Sequence, residues 1–190
     1  MNRLYVFDFD DTLVSTGSLI RVKNKEGIEV RSMTSAEFAD PDCPKKISNE
    51  EKELGYYEDF SDFEKYPQDA TILTPIFDIF VYLVNKGRDV IVLTARGKSY
   101  PVKKFLLDSG VDNPKVYAVS GSDPALKVNV IKFLIEKKKL RGISLFEDSV
   151  KNIKAISKFM ERFPDINFKS VRIPHLKWLS ELKIKKRSKK

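Results

Sequence analysis

Residues 6–14 read VFDFDDTLV, an apolar run that closes on Asp8, Asp10 and Asp11, three aspartates within four positions, followed by Thr12. The preceding RLYVF is rich in β-branched and aromatic side chains and reads as a buried strand. Carboxylates this close repel one another and resist burial. A chain that places them at a strand end needs something there to offset both costs.

Outward from this stretch, apolar strands alternate with helical segments from residue 69 onward. Thr74 is placed to cap a helix with Pro75 in its first turn; Ile76, Phe77, Phe80, Val81 and Val84 form its stripe, and Gly87 ends it. DVIVLT (89–94) is a strand buried on both faces. A helix over 101–110, the strand KVYAVS (115–120) and a helix over 124–138 follow. GISLFE (142–147), a helix over 149–162 and FKSVRI (168–173) complete the series. Strands alternating with helices of these lengths predict βαβ units and an α/β fold with a parallel, doubly wound sheet.

Residues 14–68 have another texture. LIRVKNKEGIEVRSM (19–33) reads as a hairpin turning at Asn24–Gly27. Ser48 and Glu51 match a capping box for a short helix, and YYEDFSDF (56–63) is aromatic and acidic. So long a segment between a first strand and its helix predicts a functional excursion over the strand ends. The expected organisation is a core of 1–13 and 69–182, a small cap-like α+β insert over 14–68, and a basic tail over 183–190.

Composition narrows the class. The 190 residues are 42% hydrophobic and 33% charged, as in a soluble globular protein. The one cysteine, Cys43, excludes a disulfide framework, and the one histidine, His175, leaves no zinc-ligand set. With no signal-peptide pattern and no apolar run long enough for a bilayer, a cytoplasmic protein without membrane contact is expected. Of the net charge of +8, KIKKRSKK (183–190) carries +6. That tail is either a solvated end or an electrostatic arm for a polyanion. His175, after the last strand and before Trp178, is read as structural.

In open α/β sheets ligands bind at the carboxyl ends of the strands. Read that way, four strand ends converge: Asp8, Asp10, Asp11 and Thr12; Thr94, Ala95, Arg96 and Gly97; Ser120, Gly121 and Lys127; Glu147, Asp148 and Asn152. Oxygen ligands for a hard cation, with positive charge and donors for phosphate oxygens, are what phosphoryl transfer requires. DFDDT (8–12) resembles the DxDxT first motif of the haloacid dehalogenase (HAD) superfamily. VIVLTAR (90–96), Lys127 at a helix start and LFEDSVKN (145–152) resemble its second, third and fourth motifs, in the right order.

The resemblance implies a three-layer α/β/α HAD-like Rossmannoid core and a Mg²⁺ cofactor. It implies that Asp8 is the nucleophile forming an aspartyl-phosphate, and that Asp10 lends Mg²⁺ its backbone carbonyl while its side chain handles protons. Thr94 and Lys127 would contact the phosphoryl group. Thr12, Ala95 and Arg96 would line the substrate side, Arg96 binding phosphate or else a helix end. Asp8, Asp10, Asp148 and Glu147 would form the metal site, with the main acid left open between Glu147 and Asp148. Asp11 is expected to point away in a turn, and Asn152 to orient the metal carboxylates. Lys98, Lys103 and Lys104 are alternatives to Lys127. The expected activity is that of a phosphatase on a phosphorylated substrate, either a nucleic-acid end, as in RNA-repair-like and phage HAD proteins, or a small phosphometabolite or nucleotide. A non-catalytic HAD-like binding module is the competing class. Tyr56, Tyr57, Phe60 and Phe63 are candidate stacking surfaces, with core packing the alternative.

Overall fold

Side chains alternate across a strand, and in Arg3–Phe7 (β1) both faces are apolar: Leu4, Val6 and Phe7 are all fully buried. Such a strand demands cover on each side. The computed structural model, which describes residues 2–40 and 42–174, supplies it from helices later in the chain.

After β1 come β2 (Val14–Ser15), β3 (Ile20–Lys23), β4 (Glu29–Met33), α1 (Ser35–Ala39), α2 (Asn49–Glu53), β5 (Tyr57–Asp59), a 3-10 turn (Ser61–Glu64) and β6 (Thr71–Ile72). The remainder alternates: α3 (Ile76–Asn85), β7 (Asp89–Thr94), α4 (Ser99–Asp108), β8 (Val116–Ala118), α5 (Pro124–Lys137), β9 (Gly142–Glu147), α6 (Val150–Met160) and β10 (Asn167–Arg172). The main sheet has five strands, all parallel, in the order β10-β9-β1-β7-β8. On one face Phe7, Val90 and Val92 pack with Phe77 and Phe80 of α3 and Val102, Phe105 and Leu106 of α4. On the other, Leu4, Val6, Ile91 and Leu93 pack with Ile131 and Leu134 of α5 and Ile156 and Met160 of α6. The α/β architecture with a parallel sheet between helices is thus the one expected, and it is compatible with a Rossmann-like fold.

Two helix starts differ from expectation. Thr74 does not cap α3: the Thr74–Pro75 peptide is cis and Pro75 holds the cap position without a side-chain bond. The chain before it is committed elsewhere, with Leu73 N–H donating to Leu13 O (2.9 Å) and β6 paired to β2. α4 begins at Ser99, so Pro101 lies in its first turn, where a missing N–H costs nothing.

The segment 14–68 forms its own three-stranded antiparallel sheet, β4-β3-β5. The hairpin turns where expected, with Asn24 Oδ1 accepting from Glu26 N–H and Ile28 N–H and Gly27 at φ +81°. Ile20, Val22 and Met33 make a small core with Phe38, Tyr56 and Phe63. The Ser48–Glu51 capping box is formed, and Thr34–Glu37 makes a second one on α1. His175, Trp178 and the basic tail lie outside the described residues. Among those described, no helix is long and apolar enough to cross a membrane.

Candidate functional site

The chain runs outward from β1 to β7 and β8, then returns to the other side of β1 for β9 and β10. The reversal between β1 and β9 is the topological switch point, where a crevice opens beyond the strand ends. Asp8 stands there: its N–H donates to Phe146 O (2.9 Å), extending the ladder one residue past β1. Glu147 ends β9 and Asp148 follows it. Across from them Asp123 caps α5, and Lys127 in its first turns reaches inward. Lys127 Nζ donates to Asp8 Oδ1 (2.7 Å) and Glu147 Oε2 (2.8 Å). Glu147 Oε1 accepts from Ser149 N–H (3.2 Å), and Asp148 Oδ1 accepts from Thr12 Oγ1 (3.3 Å).

Asp8, Glu147 and Asp148 each bring a carboxylate oxygen within 4.8 Å of the others. Asp8, Glu147 and Lys127 are at most 6% exposed. Burial, and then the Glu147 charge, push the Asp8 carboxyl up to about 7 against the pull of Lys127. Burial and the charges of Asp8, Glu147 and Asp11 push Asp148 up to about 9. For Lys127 burial works the other way, but the two carboxylates it binds outweigh it and hold its ammonium above the ordinary lysine range. A buried all-oxygen cluster with more acid than one ammonium can balance suits a hard divalent cation. Asp8, Glu147 and Asp148 are the residues whose side chains could hold it.

Asp10 is not part of that cluster. Its carboxylate is gripped by Arg96, with Nε on Oδ2 (2.8 Å) and Nη2 on Oδ1 (2.6 Å), and Thr16 Oγ1 donates to Oδ1 (3.0 Å). Arg96 has no exposed side-chain surface. It is flanked by the rings of Phe9 and Phe63, 5.4 Å and 5.2 Å from their centroids. Arg96 thus donates to Asp10 and to the insert rather than to a helix end, and it also borders the cavity over the strand ends. Asp11, at φ +59°, sits in a turn as expected, but its side chain does not point away: it lines the cavity and accepts from Ser35 Oγ (2.7 Å) of the insert.

A cavity of about 660 Å³ opens over the strand ends. Its floor holds Asp8, Asp10, Lys127, Glu147 and Asp148; Ala95, Ser120 and Asn152 lie on its core side. Phe38, Phe60 and Phe63 of the insert form the opposite wall, so the insert does sit over the strand ends. Thr12 and Thr94 are fully buried and do not line this cavity. Thr12 Oγ1 donates to Asp148 Oδ1, and Thr94 Oγ1 accepts from Arg96 N–H (3.2 Å). Lys98 and Lys104 are paired with Glu64 and Asp108, which leaves Lys127 as the lysine at Asp8. Tyr56 and Phe63 pack in the insert core, whereas Tyr57 and Phe60 are exposed.

Thr16, Ser18, Ser35, Phe38, Lys46 and Lys151 belong to the site or its walls without having been singled out in the sequence. Thr16 and Ser18 carry a weak signal, two hydroxyls directly after the acidic motif; the lysines carry none in so basic a chain. No family model, no curated protein and no solved structure matches this chain.

Proposed function

We propose that this protein is a Mg²⁺-dependent phosphomonoester hydrolase that works through a phosphoryl group carried on Asp8, in the manner of the HAD superfamily its motifs resemble. The observation that carries the reading is the buried cluster of Asp8, Glu147 and Asp148 around Lys127 at the sheet's switch point. One acid to attack, others to hold a cation and a fixed ammonium against phosphate oxygens are the parts that phosphoryl transfer needs.

In the first step a carboxylate oxygen of Asp8 bonds to phosphorus and the bond from phosphorus to the substrate oxygen breaks. The departing oxygen takes a proton from Asp10. In the second, water bonds to phosphorus, the bond from phosphorus to Asp8 breaks, and the water proton passes to Asp10. Lys127 steadies the phosphoryl oxygens throughout. A bound Mg²⁺ supplies charge neutralisation to the same oxygens and to the acidic floor. Hydrolysis of p-nitrophenyl phosphate that requires added Mg²⁺, stops with chelator and is lost in Asp8→Asn is the expected result. Phosphate binding without turnover would leave a binding module instead.

As substrate we favour a nucleic-acid end over a small phosphometabolite. Phe38 and the 39%-exposed Phe60 give the cavity an aromatic wall, and Lys46 and Lys151 line it as well. Each phosphate neutralised on a single strand adds a log–log salt slope of about −0.7. Deleting residues 183–190 should raise KM for a phosphorylated oligonucleotide and flatten that slope. A KM indifferent to both salt and truncation would leave a small-molecule phosphatase.

A further inference from the structure

Arg96 does more than neutralise one acid. Nη2, beyond its bond to Asp10, donates to Thr16 Oγ1 (3.3 Å) and Ser18 Oγ (3.1 Å), where the insert begins. Nη1 donates to Phe63 O and Lys65 O (3.4 Å each), where it returns to the core. One side chain from the loop after β7 thus holds Asp10 and both ends of the insert at once. A guanidinium is a rigid fork. When its partners are all in place its orientation is fixed, and so is that of the carboxylate it grips; when the ends of the insert shift, the fork loses four of its acceptors. Burying the arginine carries a desolvation penalty, which its contacts to Asp10 and to both ends of the insert offset.

We propose that Arg96 is a positioning residue for the proton-handling acid: it aims Asp10 at the cavity and makes that aim depend on the seating of the 14–68 insert. This rests on the phosphatase reading above. It assigns Arg96 no contact with substrate and no step of its own. What it contributes is orientation, and a catalytic group misplaced by roughly 1 Å can lose on the order of 10²-fold in rate.

The test compares an alkyl ester, glycerol phosphate, with p-nitrophenyl phosphate. The alkyl alcohol needs a proton to leave and p-nitrophenolate does not, while kcat/KM reports only the steps up to that departure. Arg96→Met should lose about 10²-fold in kcat/KM on glycerol phosphate and several-fold less on the aryl ester, following Asp10→Asn. The double variant should be no worse than Asp10→Asn alone, because one residue acts through the other. Equal losses on both esters in folded Arg96→Met, or multiplicative losses in the double variant, would overturn the assignment. Should Arg96→Met not fold, Ser18→Ala, which removes only an insert-side bond, should still lower the alkyl-to-aryl ratio; an unchanged ratio would overturn it equally. A wild-type protein inactive on both esters would instead remove the phosphatase reading.

Discussion

At Asp148 and Glu147 two adjacent acids face the same pocket with different commitments. Both oxygens of Glu147 are engaged, by Lys127 and by the N–H of Ser149, whereas Asp148 Oδ1 takes the longer bond from Thr12. A cation at Glu147 would compete with the fixed Lys127 ammonium 2.8 Å from Oε2, and Asp148 stands second after the apolar strand, as the metal-binding acid does in the motif it resembles. Asp148→Ala is therefore expected to raise the Mg²⁺ concentration for half-maximal activity more than Glu147→Ala or Asn152→Ala. Metal titrations of the three variants check this, and the reverse order would make Glu147 the main ligand. Asp10→Asn should cost about 10²–10⁴-fold in rate while leaving Mg²⁺ affinity within a few-fold, since its side chain lies outside the cluster. A collapse of metal affinity in that variant, read by calorimetry, would contradict the division between the two acids.

Among the elements, the junction of insert and core turns on Arg96. Truncating a buried ion-pair partner leaves the other charge uncompensated, typically at about 3–5 kcal/mol. Arg96→Ala should lose stability in that range in urea unfolding, and a loss below about 1 kcal/mol would show that the junction does not depend on the pair. The alternation of strands and helices was legible in the sequence because β1, β7 and β9 are apolar on both faces, a pattern that only a two-sided parallel sheet satisfies. The convergence of Asp8, Lys127, Glu147 and Asp148 was legible for the same reason, as strand ends share one edge. What Arg96 and Thr12 touch was not. Both stand beside strand-end acids, and whether such a side chain turns toward a ligand or back onto a neighbouring carboxylate depends on the insert's packing, which no local spacing records. α3 starts at Ile76 without a Thr74 cap because the residues before it pair with β2 and Leu13, and α4 starts at Ser99 because its first turn accommodates Pro101, neither of which a local capping pattern records.

For the whole molecule, the acidic floor makes stability depend on pH, and under the proposed reading on metal as well. Asp8 and Asp148 titrate at about 7 and about 9 when folded, against about 3.9 for an unfolded aspartate. Between those limits the folded state binds more protons than the unfolded one, so metal-free stability from these groups falls as pH rises. A cation bound as proposed would take the place of those protons. The gain in Tm on adding Mg²⁺ should therefore grow from about pH 5 to about pH 8; a gain that stays flat or shrinks would mean that the cluster is not where the cation binds. The proposed mechanism requires Asp8 to carry the phosphoryl group. Acid-quenching the protein during turnover of p-nitrophenyl phosphate with Mg²⁺, reducing any acyl phosphate with borohydride and locating the reduced residue by peptide mass spectrometry tests that directly. The expected result is homoserine at position 8, absent without substrate and absent in Asp8→Asn. Turnover with no reduced residue, or with the mark on another side chain, would contradict it.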